Sequence, residues 1–315
     1  QLSTKKNFMR YEIKIEKAQE AEGSINLERI ASMARGILKI SEGALNIRLK
    51  GISITKEKRN KKIQKAFHVT LTGIDKGSTV LSINAKTFQE TLQPYQLNLF
   101  RQEQQKDLAG HTPVSLFIRT FQQAMGEKEN KNLLDKPLLN ELKQFRKAFN
   151  NDEETFIFTN QDTIPVLRIQ RQDFERIRTL ESTIPEPEPV IINGKVEELK
   201  YSKLRVKIQT DQGNIDGFLS EDISSDEIAG YWGKLITISG ISHYKPEGKT
   251  IIEIKNIYEP GEGDRYFSRK PTNETVEEQI QRQQKETGLK NQLSSLVDQW
   301  PGDEDFEELL NMLSK

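Results

Sequence analysis

The residues of this chain best suited to chemistry are its three histidines, and their spacing argues against a shared site. His68, His111 and His243 lie far apart, and none has a second histidine at metal-ligand spacing. The chain has no cysteine, whereas structural zinc sites are built mainly from cysteine and histidine at short, fixed spacings. The sequence therefore predicts neither a bound metal nor a cofactor.

The other motifs of catalysis and phosphate binding are also missing from the sequence. The turn from Asp75 to Ser78 has one glycine and lacks the Gly-Lys-Ser/Thr of a phosphate-binding loop. No serine lies in a Gly-x-Ser-x-Gly elbow, and no dinucleotide-binding fingerprint follows a strand. The acidic run from Asp303 to Asp305 is explained by the preference for acids at the start of a helix. We therefore expect a protein that is not an enzyme.

The net charge of zero hides opposite charges at the two ends of the chain. Residues 1–100 hold 18 Lys and Arg against 9 Asp and Glu, and residues 260–315 hold 7 against 12. The basic excess is concentrated between Thr55 and Lys65. This run predicts either a solvated loop or a contact with nucleic-acid phosphates. Its candidate contacts are Lys56, Lys58, Arg59, Lys61 and Lys62.

Apolar periodicity predicts an α+β domain in the first part of the chain. Alternation from Arg10 to Glu16 indicates a strand, and Ser24 or Asn26 can cap a helix that carries one apolar face. The segment from Ala44 to Ile54 fits either a strand or more helix. Further strands are predicted at 67–72, 79–83 and 154–159, and helices within 116–149 and at 172–180.

Residues 190–259 predict a small five-stranded β-barrel. Strands are indicated near 190–196, 204–209, 215–219, 235–244 and 250–257, with a short helix between the third and fourth. This order resembles the oligonucleotide/oligosaccharide-binding (OB) fold, and a five-stranded SH3-like barrel is the alternative. The segment is also similar to a small barrel module of uncharacterised bacterial proteins, through Phe218 to Glu221 and Gly233 to Gly240. Its alternative nucleic-acid contacts are Lys203, Arg205 and Lys207.

The last 27 residues have an amphipathic pattern that predicts two short helices separated by Pro301-Gly302. Short helices of this kind bind in grooves through apolar side chains at helical spacing. The candidate partner-binding residues are Leu289, Leu293, Leu296, Val297, Trp300, Phe306, Leu309, Leu310 and Leu313. Either these residues pack on their own chain or on a second copy, or they bind a foreign protein.

The stretch from Leu296 to Leu310 is similar to the C-terminal tails of bacterial type II antitoxins, especially those that bind PIN-domain ribonuclease toxins. The resemblance implies a tail that wraps a toxin, with Trp300 and the leucines filling its pockets. It also implies a bacterial source. A protein partner is therefore expected at this end of the chain, and DNA or RNA is the alternative partner.

Together these patterns predict an α+β chain with five segments. They are an α+β domain at 9–184 (sheet and helix to about residue 100, then helices), a Pro/Glu linker at 185–189, the OB-like barrel at 190–259, a polar linker at 260–288 and the tail at 289–315. Residues 1–8 precede the first methionine and are left out of the fold. No apolar run approaches the ~18 residues of a membrane span, and no signal peptide is present. A cytoplasmic, non-enzymatic interaction protein is expected, with nucleic-acid binding as the alternative and self-association open.

Overall fold

The structure, a computed structural model, describes most of the chain, namely residues 8–21, 23–53, 65–75, 79–92, 108–126, 131–160, 166–200, 205–220, 223–224 and 228–287. The chain divides into two compact units, Gln1–Asn273 and Glu274–Lys315. The larger unit contains an α+β half and a closed barrel. In the part of the chain that is described, no helix has the length and apolar character needed to cross a membrane.

An antiparallel sheet of five strands forms the framework of the α+β half. Its strands are β1 (Phe8–Glu16), β2 (Val69–Asp75), β3 (Thr79–Lys86), β4 (Thr155–Asn160) and β5 (Leu167–Gln170), in the order β2-β3-β1-β4-β5. The central strand buries Tyr11, Ile13 and Ile15 on one face. The predicted strand at 10–16 and the predicted hairpin at 67–83 are confirmed. The sequence does not predict β5, because four residues are too few to show a period.

A layer of helices covers the buried face of this sheet. The helices are α1 (Leu27–Lys50), α2 (Phe88–Thr91), α3 (Pro113–Ala124), α4 (Lys136–Gln144) and α5 (Asp173–Ser182). The side chain of Asn26 accepts a hydrogen bond from the Glu28 N–H, as expected of a helix cap. The ambiguous segment after Ala44 is helical to Lys50 and stops at Gly51, whose φ of 91° ends the helix in the left-handed region.

Aromatic rings fill the space between the helices and the sheet. Phe117 on α3 has its ring centroid 4.9 Å from Phe158 on β4 and 5.1 Å from Phe145, which begins a 3-10 turn after α4. Phe121 and Phe156 join the same cluster. The predicted apolar stripes of residues 116–149 are therefore core residues, and ring pairs of this geometry add to the stabilisation by burial.

The second half of the larger unit is a closed barrel of five strands, as the alternation predicts. They are β6 (Glu188–Lys200), β7 (Arg205–Thr210), β8 (Gly213–Leu219), β9 (Leu235–Tyr244) and β10 (Thr250–Tyr258). The order around the barrel is β10-β8-β7-β6-β9, with β8 and β10 parallel and the other pairs antiparallel. Strand β6 begins inside the Pro/Glu segment, where Glu188 and Pro189 already pair with β9.

Strands β6 and β7 approach each other closely at Gly194, where a side chain would not fit. A Cβ built on Gly194 in β6 would lie 2.5 Å from the Gln209 carbonyl oxygen and 2.6 Å from Ile208 Cγ2. Replacing Gly194 with Ala is expected to destabilise the protein by about 1–3 kcal/mol, because the backbone must shift to admit the methyl group. Urea unfolding measures this, with Gly73→Ala as the control because its Cβ would meet no atom within 4 Å. An equal effect of the two variants would contradict the prediction.

The segment between β8 and β9 and the segment after β10 are described only in part. Between β8 and β9, Ile228 and Ala229 are helical, and the rest of the predicted short helix lies largely outside the described residues. After the barrel, Asp264–Phe267 forms a 3-10 turn that packs on β6. In the smaller unit, helix α6 (Val276–Thr287) begins after Thr275, whose hydroxyl accepts the Glu278 N–H at 3.3 Å.

Candidate interaction surface

The turn between β9 and β10 anchors the barrel to the α+β half. Tyr244 is buried in the core of the α+β half, and its hydroxyl donates a hydrogen bond to Glu188. Burial is the main cause that raises the pKa of the Tyr244 phenol. Glu247, at the tip of the turn, accepts hydrogen bonds from the Asn132 amide and the Lys131 N–H. The sequence Lys-Pro-Glu-Gly is typical of a solvent-exposed turn. In the structure this turn lies instead against Lys131 and Asn132 of the α+β half.

A buried ion pair lies at the centre of this junction. The side chain of Lys245 is 1% exposed, and its Nζ lies 3.6 Å from Asp135 Oδ2. Asp135 also accepts hydrogen bonds from the Ser53 N–H and hydroxyl, at 2.8 and 2.6 Å, and from the Leu138 N–H at 3.0 Å. Burial lowers the pKa of Lys245, and the Asp135 carboxylate opposes that shift. One carboxylate thus connects the end of α1, the start of α4 and the barrel.

The C-terminal end of α1 lies against the outer side of the first residues of β7 and β10. Arg205 at the start of β7 donates a hydrogen bond to the Leu49 carbonyl at 2.9 Å. A Cβ on Gly51 would lie 2.8 Å from Cδ1 of Ile251, at the start of β10. The α+β half therefore contacts the barrel at Arg205, at Ile251 and at the β9–β10 turn. This face of the barrel is therefore occupied by the chain itself.

Only two of the predicted nucleic-acid contacts lie within the described residues. Arg205 is half-buried at the junction, and Lys207 pairs with Glu198 at 2.9 Å, a hydrogen bond that raises the pKa of Lys207. The other predicted contacts, Lys56, Lys58, Arg59, Lys61, Lys62 and Lys203, lie outside the described residues. The predicted partner-binding residues from Leu289 to Leu313 also lie outside them.

The three histidines are separated in the structure as they are in the sequence. His68 lies beside Thr70, and His243 lies 3.3 Å from Glu253, whose pKa is lowered to about 2, first by the hydrogen bond from His243. His111 Nδ1 is 2.7 Å from the hydroxyl of Ser115. In the part of the chain that is described, no three His, Asp or Glu side chains are placed to hold a metal ion.

The contact between His111 and Ser115 has the spacing of a nucleophile and its base, and the sequence gives no sign of it. Ser115 is 1% exposed and sits in the first turn of α3, where its hydroxyl accepts the Thr112 N–H at 2.9 Å. Thr112 in turn accepts the Ser115 N–H and lies 2.8 Å from the Tyr11 hydroxyl. These hydrogen bonds form a capping box, so the pair fixes the start of α3 inside the core.

Exposed aromatic and aliphatic side chains occur on β6, β9 and β10 of the barrel and on the turns next to β9 and β10. Trp232 is 70% exposed, Tyr266 71% and Tyr258 50%. We call this the aromatic surface, and it comprises Trp232, Leu235, Tyr258, Tyr266, Phe267 and Ile191. No local pattern in the sequence indicates this surface, because its residues come from β6, β9, β10, a turn and the predicted polar linker. The one available signal is the adjacent pair Tyr231-Trp232 in a turn flanked by glycines.

The aromatic surface is assembled around Thr237 of β9. Leu235 precedes Thr237 by two residues on the same outward face, and Tyr258 of β10 pairs with Thr237 across the sheet. Asp264 Oδ2 accepts the Thr237 hydroxyl at 2.6 Å and the Gly261 N–H at 2.8 Å. Both hydrogen bonds lower the pKa of Asp264. They hold the 3-10 turn that carries Tyr266 and Phe267 onto the barrel.

The segment after this turn continues across the barrel. The Ser268 hydroxyl accepts the Asp211 N–H at 3.0 Å, and the Lys270 N–H donates to the Gln212 side chain at 2.9 Å. The first residues of the predicted polar linker are therefore bound to the turn between β7 and β8.

Comparison of the chain with protein-family models, with curated proteins and with solved structures gave no match in any of the three.

Proposed function

We propose that this chain is a non-enzymatic interaction protein that binds a protein partner through its C-terminal segment, residues 289–313. The observation that carries the proposal is the contact between the end of α1 and the barrel. This contact joins the barrel to the α+β half, and Arg205, Gly51 and Lys245 all make contacts within the chain there. In this proposal the joined halves are the folded part of the protein, and the amphipathic segment that follows in the sequence contacts the partner.

The order of the barrel strands supports the OB-fold assignment. Numbered from β6, the strands run 5-3-2-1-4 around the barrel, and the third and fifth are parallel. The parallel pair favours the OB fold over the SH3-like alternative, whose strands pair as an antiparallel meander. OB folds bind ligands on the face of strands 2 and 3, between the first and last loops. In this chain the end of α1 and the β9–β10 turn occupy that region.

The partner class to test first is the one that the antitoxin resemblance implies, a small PIN-type ribonuclease encoded beside the gene for this chain. The full chain is expected to co-elute with the ribonuclease and to block its RNA cleavage. Trp300→Ala is expected to weaken binding more than tenfold, because buried tryptophans in interfaces typically contribute ~2 kcal/mol or more. The matched control is the other tryptophan, Trp232→Ala, which leaves this affinity within about threefold.

The decisive variant lacks residues 289–315. Its failure to bind or inhibit the ribonuclease is the expected result, with its fold checked by circular dichroism. Full inhibition by the shortened chain would overturn the proposal. Nucleic-acid binding is the second candidate function, and the observation that favours it is the aromatic surface.

A further inference from the structure

Five cationic residues are neighbours, in the chain or across the sheet, of members of the aromatic surface. Arg265, Arg269 and Lys270 belong to the 3-10 turn and the residues after it, while Lys195 and Lys234 flank Leu235. None of these five forms an ion pair with a carboxylate in the part of the chain that is described. The guanidinium carbon of Arg269 lies 5.2 Å from the ring centroid of Tyr266. One cation therefore lies against a ring of this surface, and two lysines flank its Leu235.

Acidic residues near this face are placed differently. Asp264 points inward to Thr237 and the Gly261 N–H. Glu197, Glu259 and Glu262 are exposed at the edges, in β6 and in the loop after β10. The surface is therefore cationic around its rings but only weakly so as a whole. Binding to a polyanion would draw mainly on the rings, with a modest electrostatic contribution.

Rings that are 50–71% exposed leave a face free for a planar ligand. Proteins that bind single strands without base specificity combine such rings with cations that follow the phosphates. Protein interfaces, by contrast, are depleted in lysine, and two lysines flank Leu235 in this surface. We infer that the aromatic surface binds single-stranded nucleic acid. Bases stack on Trp232, Tyr258 and Tyr266, and phosphates contact Arg265, Arg269 and the lysines.

This inference does not depend on the protein partner proposed above, because it uses residues of the barrel and none of the C-terminal segment. It also assigns nucleic-acid contacts to residues other than those predicted from the sequence. Arg205 and Lys207 are engaged by Leu49 and Glu198. The inferred site lies instead on β9, the end of β10 and the turn that follows.

The test is fluorescence anisotropy of the full chain with labelled oligo(dT) and oligo(U) of about 12 nucleotides, within the ~4–16-nucleotide site size of an OB fold. Trp232→Ala and Tyr266→Ala are each expected to weaken binding about 5- to 100-fold, since one stacked base contributes ~1–3 kcal/mol. The matched control is Phe8→Ala. Phe8 is an exposed ring in β1 beside a cation, with Lys86 Nζ 5.2 Å from its centroid, and this variant should bind within twofold of the unmodified chain.

Salt dependence separates stacking from phosphate contacts. With about three phosphates neutralised, the logarithm of the affinity should fall against the logarithm of salt concentration with a slope near −2, and Arg269→Ala should reduce that slope by about 0.7. Quenching of Trp232 in a Trp300→Phe background gives a second readout. Three results would overturn the inference: no binding at low salt, equal affinities for Trp232→Ala and Phe8→Ala, or an effect of Tyr266→Ala on ribonuclease binding alone.

Discussion

Replacing Asp135 with Asn is expected to destabilise the protein by about 3–5 kcal/mol, as is usual when one partner of a buried ion pair is removed. The substitution leaves Lys245, which is 1% exposed, without its counter-charge. It also places an amide in the position that accepts hydrogen bonds from Ser53 and Leu138. Urea unfolding followed by circular dichroism measures the free energy. The control is Lys136→Met, which breaks the more exposed pair with Glu186 and should cost less than about 1 kcal/mol.

A second substitution distinguishes the buried charge from general damage at the junction. Lys245→Met leaves the Asp135 carboxylate buried without its counter-charge, but the three hydrogen bonds to that carboxylate remain, so its cost should be lower than that of Asp135→Asn. Adding Lys245→Met to Asp135→Asn should recover about 1–3 kcal/mol, since the two residues act as a pair. Simple additivity of the two costs would show that the ion pair does not hold the junction.

The same pair predicts a dependence on pH. Because burial lowers the pKa of Lys245 below its ordinary value of 10.5, the unfolded chain binds this proton more strongly than the folded chain. The free energy of unfolding therefore gains a positive slope with pH in the window between the lowered pKa and 10.5. Lys245→Met should lack that contribution when unfolding is compared over this alkaline range. Identical slopes in the two proteins would contradict the shift.

The second large effect is expected at Arg29, which joins three parts of the α+β half. Its guanidinium, 3% exposed, lies 2.5 Å from Glu20 and 2.6 Å from Glu154, and Nε donates to the Ala148 carbonyl at 2.9 Å. Arg29→Met leaves two carboxylates without their counter-charge, one of them fully buried, although Asn150 still donates a hydrogen bond to each. The expected loss is about 3–5 kcal/mol.

The control for Arg29 is an exposed ion pair on β1, in the same half of the larger unit. Lys14 lies 2.9 Å from Glu16 with both side chains substantially exposed, so Lys14→Met should cost less than about 1 kcal/mol. Thermal and urea unfolding of both variants measure the difference. Comparable losses for the two substitutions would mean that burial of the Arg29 network does not matter to stability.

Local periodicity was enough to predict most of the strands and helices. The strands of the barrel are predicted because apolar and polar residues alternate, as in Val206 and Ile208 against Lys207, and alternation depends on neighbouring residues alone. The helices of residues 113–144 follow from apolar stripes in the same way. Strand β5 is too short for this signal, and its place in the sheet is set by pairing with β4, which no local pattern encodes.

Contacts between residues that are distant in the chain cannot be predicted from local sequence patterns. Asp135 and Lys245 are far apart in the chain, and a lysine in a Pro-Gly turn ordinarily points into water. Alternation predicts that Arg205 points away from the barrel interior, but it does not predict that its guanidinium donates to the Leu49 carbonyl. The aromatic surface combines Trp232 from a turn with Tyr266 from a polar segment. Neither residue has periodic neighbours, so no local pattern in the sequence indicates that either is exposed.

The Asp135–Lys245 junction predicts that the barrel and the α+β half open as one cooperative unit. Hydrogen exchange of the full chain, followed by mass spectrometry at increasing urea, reports the free energy of opening for peptides from each half. Peptides from α3 and from β9 are expected to exchange through the same opening, with equal free energies and equal dependence on urea. Opening of β9 at a clearly lower free energy, while α3 stays protected, would contradict a barrel braced by the Asp135–Lys245 junction.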